Sequence, residues 1–348
     1  MSKRLLFITP IFPKDATEDT VVPFIFQFTQ QFSYDTDVKI DVISLMYPFS
    51  QTPYKIGNIA VFPIGSQFKN SVKQLPYLIK AIYKAIQLSR KNNYDGVLCF
   101  WYRESALVGK IVSLLMRKKL VVWMHGQDIN KDNKFIRMLN IPKEKLVMLS
   151  QQQLDYFYEN HQIKVDKIAN VSISRKKFPQ LNKSERKIDV IGVGNLGALK
   201  NYSLFIELLS EVKNKNLNAV VIGVGEEMAM LKEKAAKLGM KDTINFVGAL
   251  PHKEVLDYMN NAKVFLHTSK SEGGGGVIQE ALYSGCKVVS TIAIENGDLL
   301  DCFYFGTEPK QLSAKIDSFL SDGKLPERIE HFKMEDTISV IYNSFYKD

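Results

Sequence analysis

Short apolar runs alternate with segments of helical periodicity along almost the whole chain, and this alternation limits the fold more than any other feature. Apolar runs of about four to eight residues are typical of parallel strands buried on both faces, and amphipathic segments between them are typical of crossover helices. The predicted strands are Arg4–Thr9, Asp37–Ser44, Gly96–Phe100, Leu120–Met124, Leu146–Leu149, Asp189–Val193, Asn218–Ile222, Ile244–Val247, Val264–His267 and Lys287–Ser290. The predicted helices are Pro23–Phe32, Val72–Asn92, Glu104–Lys118, Tyr202–Lys213, Glu226–Leu238, Lys253–Asn260, Gly276–Ser284 and Glu335–Tyr346. The pattern therefore predicts an α/β fold with parallel sheets.

A polar, basic stretch at residues 171–187 separates the alternation into two series, and we interpret it as a linker. With 348 residues, the chain is long enough to form two domains. We predict an N-terminal domain at residues 1–170, a C-terminal domain at residues 186–330, and a final helix within residues 331–348. Both domains are expected to be doubly wound and to bind ligands at the carboxyl ends of their strands.

The positive charge of the chain lies entirely in its first half. Residues 1–168 carry 23 Lys and Arg against 14 Asp and Glu, whereas residues 169–348 carry 23 of each kind. Part of the excess falls on one predicted helix, as Lys73, Lys80, Lys84, Arg90 and Lys91. An anionic membrane surface, a phosphorylated acceptor or a solvated helix face would each account for this charge. A nucleic acid is disfavoured because no recognised nucleic-acid-binding motif accompanies it.

The three cysteines, Cys99, Cys286 and Cys302, stand far apart and form no Cys-x-x-Cys pair. They are expected to be reduced core thiols of a cytoplasmic protein, and no metal site is predicted. No apolar stretch approaches the roughly 20 residues that a membrane-spanning helix requires.

The segment from Glu272 to Glu280 carries the clearest chemical signal. Four consecutive glycines, Gly273–Gly276, follow an apolar strand and open a predicted helix. Such a loop brings backbone amides and the positive end of a helix dipole toward a ligand, which suits a phosphate. Glu280 can accept two hydrogen bonds from vicinal hydroxyls, such as those of a ribose. The alternative is a structural turn with two solvated acids, although four glycines cost about 0.5–1 kcal/mol each relative to alanine.

The spacing Glu272-x7-Glu280 resembles the signature of the retaining GT-B glycosyltransferases of family GT4, the glycosyl transferases group 1. Further segments are similar to that family in order and spacing: Val193–Asn201, Gly223–Glu226, Phe246–Gly248 and His125–Asp128. The resemblance implies a GT-B fold, in which two Rossmann-like doubly wound domains face a cleft. Residues 1–170 would be the acceptor side, residues 186–330 would bind the nucleotide sugar, and the last helix would pack back on the first domain.

The resemblance also implies a role for individual residues. Glu280 would hold the donor ribose, and Glu272 would bind a sugar hydroxyl near the reacting carbon. Lys200 would neutralise the diphosphate leaving group, and His125 would lie near C6 of the sugar and the acceptor. Glu272, His125 and Lys200 are thus the candidate catalytic residues. The candidate donor-binding residues are Gly194, Asn195, Lys200, Gly275, Gly276, Val277, Glu280, Val247 and Leu250.

The function implied by the resemblance is transfer of a sugar from a nucleoside-diphosphate sugar to a hydroxyl of a glycan or lipid-linked acceptor. Anomeric configuration would be retained, the donor is expected to be a UDP-sugar, and no metal or other cofactor is expected. Polysaccharide biosynthesis is the expected context. The expected location is the cytoplasm, with peripheral contact at the inner face of an anionic membrane.

The chain departs from the family pattern at three places. Asn195 stands where the family carries Arg, Pro10–Thr20 lacks the usual Gly-Gly turn, and Ala293–Asp298 replaces Gly-Gly-x-x-Glu. Two alternatives therefore stay open. One is a nucleotide-sugar epimerase or hydrolase on the same fold, and the other is an inactive sugar-nucleotide-binding subunit. An oxidoreductase is disfavoured because no dinucleotide fingerprint follows the first strand.

Overall fold

Two separate α/β units make up the chain. Residues 3–18, 21–67, 72–214, 216–324 and 326–347 are described by a computed structural model. The N-terminal unit comprises Met1–Ser174 with Lys333–Asp348, and the C-terminal unit comprises Arg175–Phe332. The predicted class of doubly wound α/β domains with parallel sheets is confirmed in both units.

The helices and strands are numbered in chain order. Up to Ser174, where the first segment of the N-terminal unit ends, they are β1 (Arg4–Ile11), α1 (Pro23–Thr36), β2 (Lys39–Tyr47), β3 (Tyr54–Ile56), β4 (Ile59–Pro63), α2 (Leu75–Ser89), β5 (Gly96–Phe100), α3 (Glu104–Met116), β6 (Lys119–Trp123), α4 (Lys134–Leu139), β7 (Leu146–Val147) and α5 (Gln151–His161). Those that follow are β8 (Ile188–Val193), α6 (Tyr202–Glu211), β9 (Ala219–Ile222), α7 (Met228–Lys237), β10 (Ile244–Gly248), α8 (His252–Asn260), β11 (Ala262–His267), α9 (Gly276–Tyr283), β12 (Lys287–Ser290), β13 (Phe303–Phe305), α10 (Pro309–Ser321) and α11 (Met334–Tyr346).

The sheet of the N-terminal unit has the order β3-β4-β2-β1-β5-β6-β7. Only β3 is antiparallel, at one edge, and the order of the parallel strands reverses between β1 and β5. Helix α11, the last along the chain, belongs to this unit and buries Ile338, Ile341 and Phe345 in its core. The Phe345 ring lies so close to Gly96 that a Cβ there would meet it at 2.4 Å, so glycine on β5 makes room for the helix.

The sheet of the C-terminal unit is wholly parallel and has the order β10-β9-β8-β11-β12-β13. One face is covered by a core that includes residues of α6, α7 and α10, and the other by a core that includes residues of α8 and α9. Burial on both faces explains why the strands of this unit are continuous apolar runs. The strand order reverses between β8 and β11, and ligands of doubly wound sheets bind at the carboxyl ends of strands at such a reversal.

Several elements differ from the sequence prediction. The strands β3, β4 and β13 and the helices α4, α5 and α10 were not predicted, mostly because they are short or lie at an edge. Helix α2 begins at Leu75 rather than Val72, after a 3₁₀ turn at Val72–Gln74. Pro76 explains this start, because a proline without an N–H is tolerated in the first helical turn. Among the described residues, no helix is both long and apolar enough to span a bilayer.

Candidate functional site

The residues predicted for the donor site in the second half of the chain follow the carboxyl ends of the C-terminal sheet. Lys200 lies in the loop that leaves β8, and Glu272 and Glu280 follow β11. Since the strand order reverses between β8 and β11, their loops diverge and leave a crevice at the sheet edge. The fold therefore brings together residues that lie 72 positions apart in the sequence.

Glu272 is the centre of a polar cluster. Its Oε1 atom accepts a hydrogen bond from the Lys200 ammonium group, a second from His267 Nε2 at 2.9 Å, and a third from Ser269 Oγ at 2.8 Å. Burial alone would raise the pKa of Glu272. The His267 hydrogen bond and the Lys200 charge outweigh burial and hold this pKa at about 2. Glu272 is therefore a carboxylate at every physiological pH.

His267 is a residue of this cluster that sequence reasoning assigned only to a strand. Its side chain is 4% exposed, and its Nδ1 atom lies 3.1 Å from the Ser290 hydroxyl. Because the Glu272 carboxylate can only accept, Nε2 of His267 carries a proton. The Ser290 hydroxyl has a single proton, which can go to Nδ1 or to the Ile292 carbonyl at 2.7 Å. A histidine at a strand end, five residues before Glu272, was the signal available in the sequence.

Glu280 is held by a second histidine. Its Oε1 atom lies 2.7 Å from Nε2 of His252, the first residue of α8. The two side chains are 17% and 9% exposed, so the pair is largely shielded from water. Sequence reasoning did not identify His252, because the pairing joins two helices 28 residues apart. Each predicted acid of the site thus has one carboxylate oxygen oriented by an imidazole.

The glycine-rich segment shapes the start of α9. Gly275 has φ +60°, the left-handed conformation that glycine adopts without strain, and it caps the helix that begins at Gly276. The amides of Ile278 and Gln279 bond to the Gly275 carbonyl, whereas the first helical amides, at Gly276 and Val277, have no partner within a regular helix. Such amides with the helix dipole suit an anion.

The remaining predicted donor-binding residues lie on neighbouring loops of the same sheet edge. Gly194 directly follows β8, and a Cβ at that position would lie 3.6 Å from Cε of Lys200. Asn195 is exposed to solvent. Val247, Leu250 and Val277 are partly buried and pack against one hydrophobic cluster. Gly223 allows the next loop to approach, because a Cβ there would lie 1.8 Å from the Gly194 carbonyl oxygen.

His125 belongs to the N-terminal unit, whereas the other predicted site residues belong to the C-terminal unit. It follows β6, and its ring lies 4.9 Å from that of Trp101 and 4.8 Å from that of Trp123. Burial lowers its pKa to about 3, so the imidazole is neutral at physiological pH. Its Nε2 atom is buried and has no hydrogen-bond partner among the described residues. Its backbone N–H donates to Asp128 at 3.0 Å, and burial raises the pKa of that aspartate to about 6.

Comparison with known proteins points to one family. Residues 173–334 match the family model of the glycosyl transferases group 1. An uncharacterized glycosyltransferase of Haemophilus influenzae is 24% identical over 263 residues, which cover 73% of this chain and 71% of that protein. The amylovoran biosynthesis glycosyltransferase AmsD of Erwinia amylovora is 24% identical over 211 residues, covering 58% and 59% of the two chains.

A similar solved structure is that of HepE from Anabaena in complex with UDP and glucose. It has a TM-score of 0.62 and 17% identity, and the similarity covers 98% of this chain and 93% of HepE. At this identity the similarity shows that the fold is shared.

Proposed function

Because residues 173–334 match the family model of the glycosyl transferases group 1, we propose that the chain transfers a sugar from a nucleoside-diphosphate sugar to a hydroxyl of a glycan or lipid-linked acceptor. The observation that carries this proposal is the cluster of Lys200, His267 and Glu272 beside the glycine-rich start of α9. A cation and unpartnered helix amides stabilise a departing diphosphate, and an oriented carboxylate binds sugar hydroxyls. Glu280, fixed by His252, is the acceptor for the ribose hydroxyls.

The donor in this proposal is a UDP-sugar, and the transfer retains the anomeric configuration. The shared fold with HepE, which was solved with UDP and glucose, supports the choice of UDP. Retention rests on the resemblance to the retaining family. We propose that the reaction is metal-independent, because Lys200 and the α9 amides together supply positive potential where the leaving-group charge develops.

The acceptor is proposed to be met on the N-terminal unit, with His125 near the transferred sugar. In the tautomer that carries its proton on Nδ1, the neutral imidazole can accept a hydrogen bond or a proton at its buried Nε2 atom. The similarity to AmsD, a glycosyltransferase of amylovoran biosynthesis, supports a saccharide acceptor in polysaccharide biosynthesis. A cytoplasmic location, where nucleotide sugars are the donors, is part of the same proposal.

We further propose peripheral contact with an anionic membrane through the basic residues around α2. Lys73, Lys80, Arg90 and Lys91 are exposed, and Lys84 is partly exposed. Each basic residue near an anionic surface contributes on the order of 1 kcal/mol, so several together give reversible, salt-sensitive binding. The test is co-sedimentation with vesicles containing phosphatidylglycerol or only phosphatidylcholine, at low and high salt. Vesicle binding that does not depend on lipid charge, or that persists in a variant with reversed charges at Lys80, Lys84, Arg90 and Lys91, would contradict the proposed membrane contact.

The proposed activity is tested with a panel of nucleoside diphosphates and their sugars. We expect one nucleotide to raise the Tm, since a ligand at 100 times its Kd adds about 2.7 kcal/mol to the free energy of unfolding. The matching nucleotide sugar should then yield a glycosylated product only when an acceptor is supplied, also in the presence of EDTA. Free sugar or an epimerised nucleotide sugar formed without acceptor would favour the hydrolase or epimerase. Tight nucleotide binding without any turnover would favour the inactive subunit.

A further inference from the structure

A cavity of about 640 Å³ lies in the N-terminal unit, and none of its lining residues is among the predicted donor-binding residues. It is lined by Gln74 and Leu75 where α2 begins, by Arg103 and Glu104 where α3 begins, and by residues between Gln127 and Phe135. Its volume is that of an ordinary small-molecule site, about 300–1,000 Å³. The lining loops follow β5 and β6, so the cavity lies at the carboxyl end of the sheet, where doubly wound domains bind ligands.

The loops around the cavity are held together by buried polar contacts. The Asp128 carboxylate accepts from the backbone N–H of Tyr102 at 2.7 Å and from that of His125 at 3.0 Å. The Asn133 side-chain amide donates to the carbonyls of Tyr102 at 2.8 Å and Asp128 at 2.6 Å. These bonds tie the loop after β5 to the loop after β6. The cavity walls are therefore preformed rather than assembled on binding.

One polar side chain of the cavity has no hydrogen-bond partner among the described residues. Gln74 is 5% exposed, and its amide makes no hydrogen bond to any other residue that the structure describes. The Gln74 amide is not sealed from solvent, so a ligand in the cavity can replace water as its hydrogen-bond partner. Gln74 thus points to a ligand with hydrogen-bonding groups.

The charges that line the cavity balance. Arg103 and Lys134 supply two cations, and Glu104 and Asp132 supply two carboxylates. Arg103 Nε lies 3.8 Å from the Glu104 carboxylate, so part of its charge is already neutralised. A diphosphate would require an excess of cations. Amides and carboxylates beside the Phe135 ring instead offer the mixture of donors, acceptors and apolar surface that hydroxyls and the C–H face of a sugar require.

An apolar stripe runs from the rim of the cavity along α2. Leu75 lines the cavity and is 54% exposed, and Ile79 and Tyr83 are 58% and 66% exposed. The spacing of four residues places all three on one helix face. A ligand whose polar end occupies the cavity would therefore have apolar surface directly beside it.

We propose that this cavity binds the terminal saccharide of an amphiphilic acceptor, whose apolar aglycone lies along the Leu75–Ile79–Tyr83 stripe. The assignment rests on the proposed glycosyltransferase function, because it supplies the second substrate of that reaction. It narrows the acceptor from any glycan to a saccharide carried on a lipid or another apolar group. It also assigns acceptor recognition to Gln74, Lys134 and Asp132, which belong to none of the predicted site residues.

The test is binding of simple glycosides to the full chain, measured by saturation-transfer NMR titration. The probes are methyl and octyl glycosides of glucose, galactose and N-acetylglucosamine, with the octyl compounds below their micelle concentrations. We expect at least one octyl glycoside to bind at least fivefold more tightly than its methyl counterpart. Gln74→Leu and Lys134→Ala should each weaken both compounds, Gln74→Leu by at least fivefold. Ile79→Ser should weaken only the octyl compound.

Lys131→Ala is the matched control, because Lys131 is exposed on the same loop but does not line the cavity. The Tm shift caused by UDP serves as an independent readout of the C-terminal unit in every variant. If UDP binds but none of the six glycosides does, or if Gln74→Leu leaves their affinities unchanged, the cavity assignment is overturned while the donor proposal stands. If glycosides bind as expected but no nucleotide does, the cavity assignment stands and the donor proposal fails.

Discussion

Replacing Lys200 with methionine removes the ammonium group from the Glu272 cluster while keeping most of the side-chain volume. Glu272 then retains the hydrogen bonds from His267 at 2.9 Å and Ser269 at 2.8 Å, so the carboxylate stays partly satisfied. Lys200 is 25% exposed and Glu272 15% exposed, which makes this a partly shielded pair rather than a surface ion pair. We expect the substitution to change both the stability of the C-terminal unit and its turnover.

The stability effect follows from the pKa of Glu272. Burial raises this pKa, and the contacts with His267 and Lys200 lower it from 4.5 to about 2. A net shift of this size corresponds to roughly 3 kcal/mol at about 1.4 kcal/mol per pKa unit. Lys200 is one of two main sources and is partly screened by water, so we expect Lys200→Met to cost on the order of 1 kcal/mol at pH 7.

The sign of the pH dependence is fixed by the direction of the shift. A carboxylate with a lowered pKa in the folded state contributes stability above its unfolded pKa of about 4.5. That contribution is lost as the pH falls toward about 2, the folded value. Because a protonated Glu272 no longer attracts Lys200, the stability gap between wild type and Lys200→Met should be full at pH 7 and should close between pH 4.5 and pH 2.

Urea unfolding measured by circular dichroism and by tryptophan fluorescence separates the two units. Both tryptophans, Trp101 and Trp123, belong to the N-terminal unit, so their fluorescence should report no change in the variant. Circular dichroism should show the loss, and turnover at pH 7 should fall by about 10²–10³ if Lys200 stabilises the leaving group. Lys270→Met, at an exposed position of the neighbouring loop, should keep both properties. Turnover within threefold of wild type, or a stability gap that persists at pH 2, would refute the reasoning.

Two further predictions concern the same site. Glu280→Ala should weaken UDP binding by about 1.5–3 kcal/mol for each ribose hydrogen bond lost, whereas Glu272→Ala should spare UDP and reduce transfer. Isothermal titration with UDP and an assay of sugar transfer measure the two effects, and an equal loss of UDP affinity in both variants would contradict this division. Gly275→Ala should lower the stability by about 1–2 kcal/mol, because alanine is strained at φ +60° although its Cβ would lie 3.6 Å from the nearest atom. Thermal unfolding measures this cost, and an unchanged Tm would show that the loop relaxes without strain.

The regular elements that build the two sheets were largely readable from the sequence. Gly96–Phe100 and Lys287–Ser290 have the predicted bounds, and most other predicted strands differ by one to three residues at an end. Parallel strands are buried on both faces, so their apolar runs are visible without any tertiary information. Short edge strands such as Tyr54–Ile56 bury fewer residues, and their pattern is too brief to separate from a loop.

The candidate site was readable only where its residues are neighbours in sequence. The glycine-rich segment, with acids at Glu272 and Glu280, indicated a phosphate and sugar site because loop conformation and helix dipole are local properties. Tertiary structure alone decided that Lys200 pairs with Glu272 and that His267 and His252 orient the two acids. It also decided that Gln74 lines a cavity without a hydrogen-bond partner among the described residues. Hydrogen bonds and burial depend on distances between atoms, and the chain sets those distances only when its sheets bring remote loops to one edge.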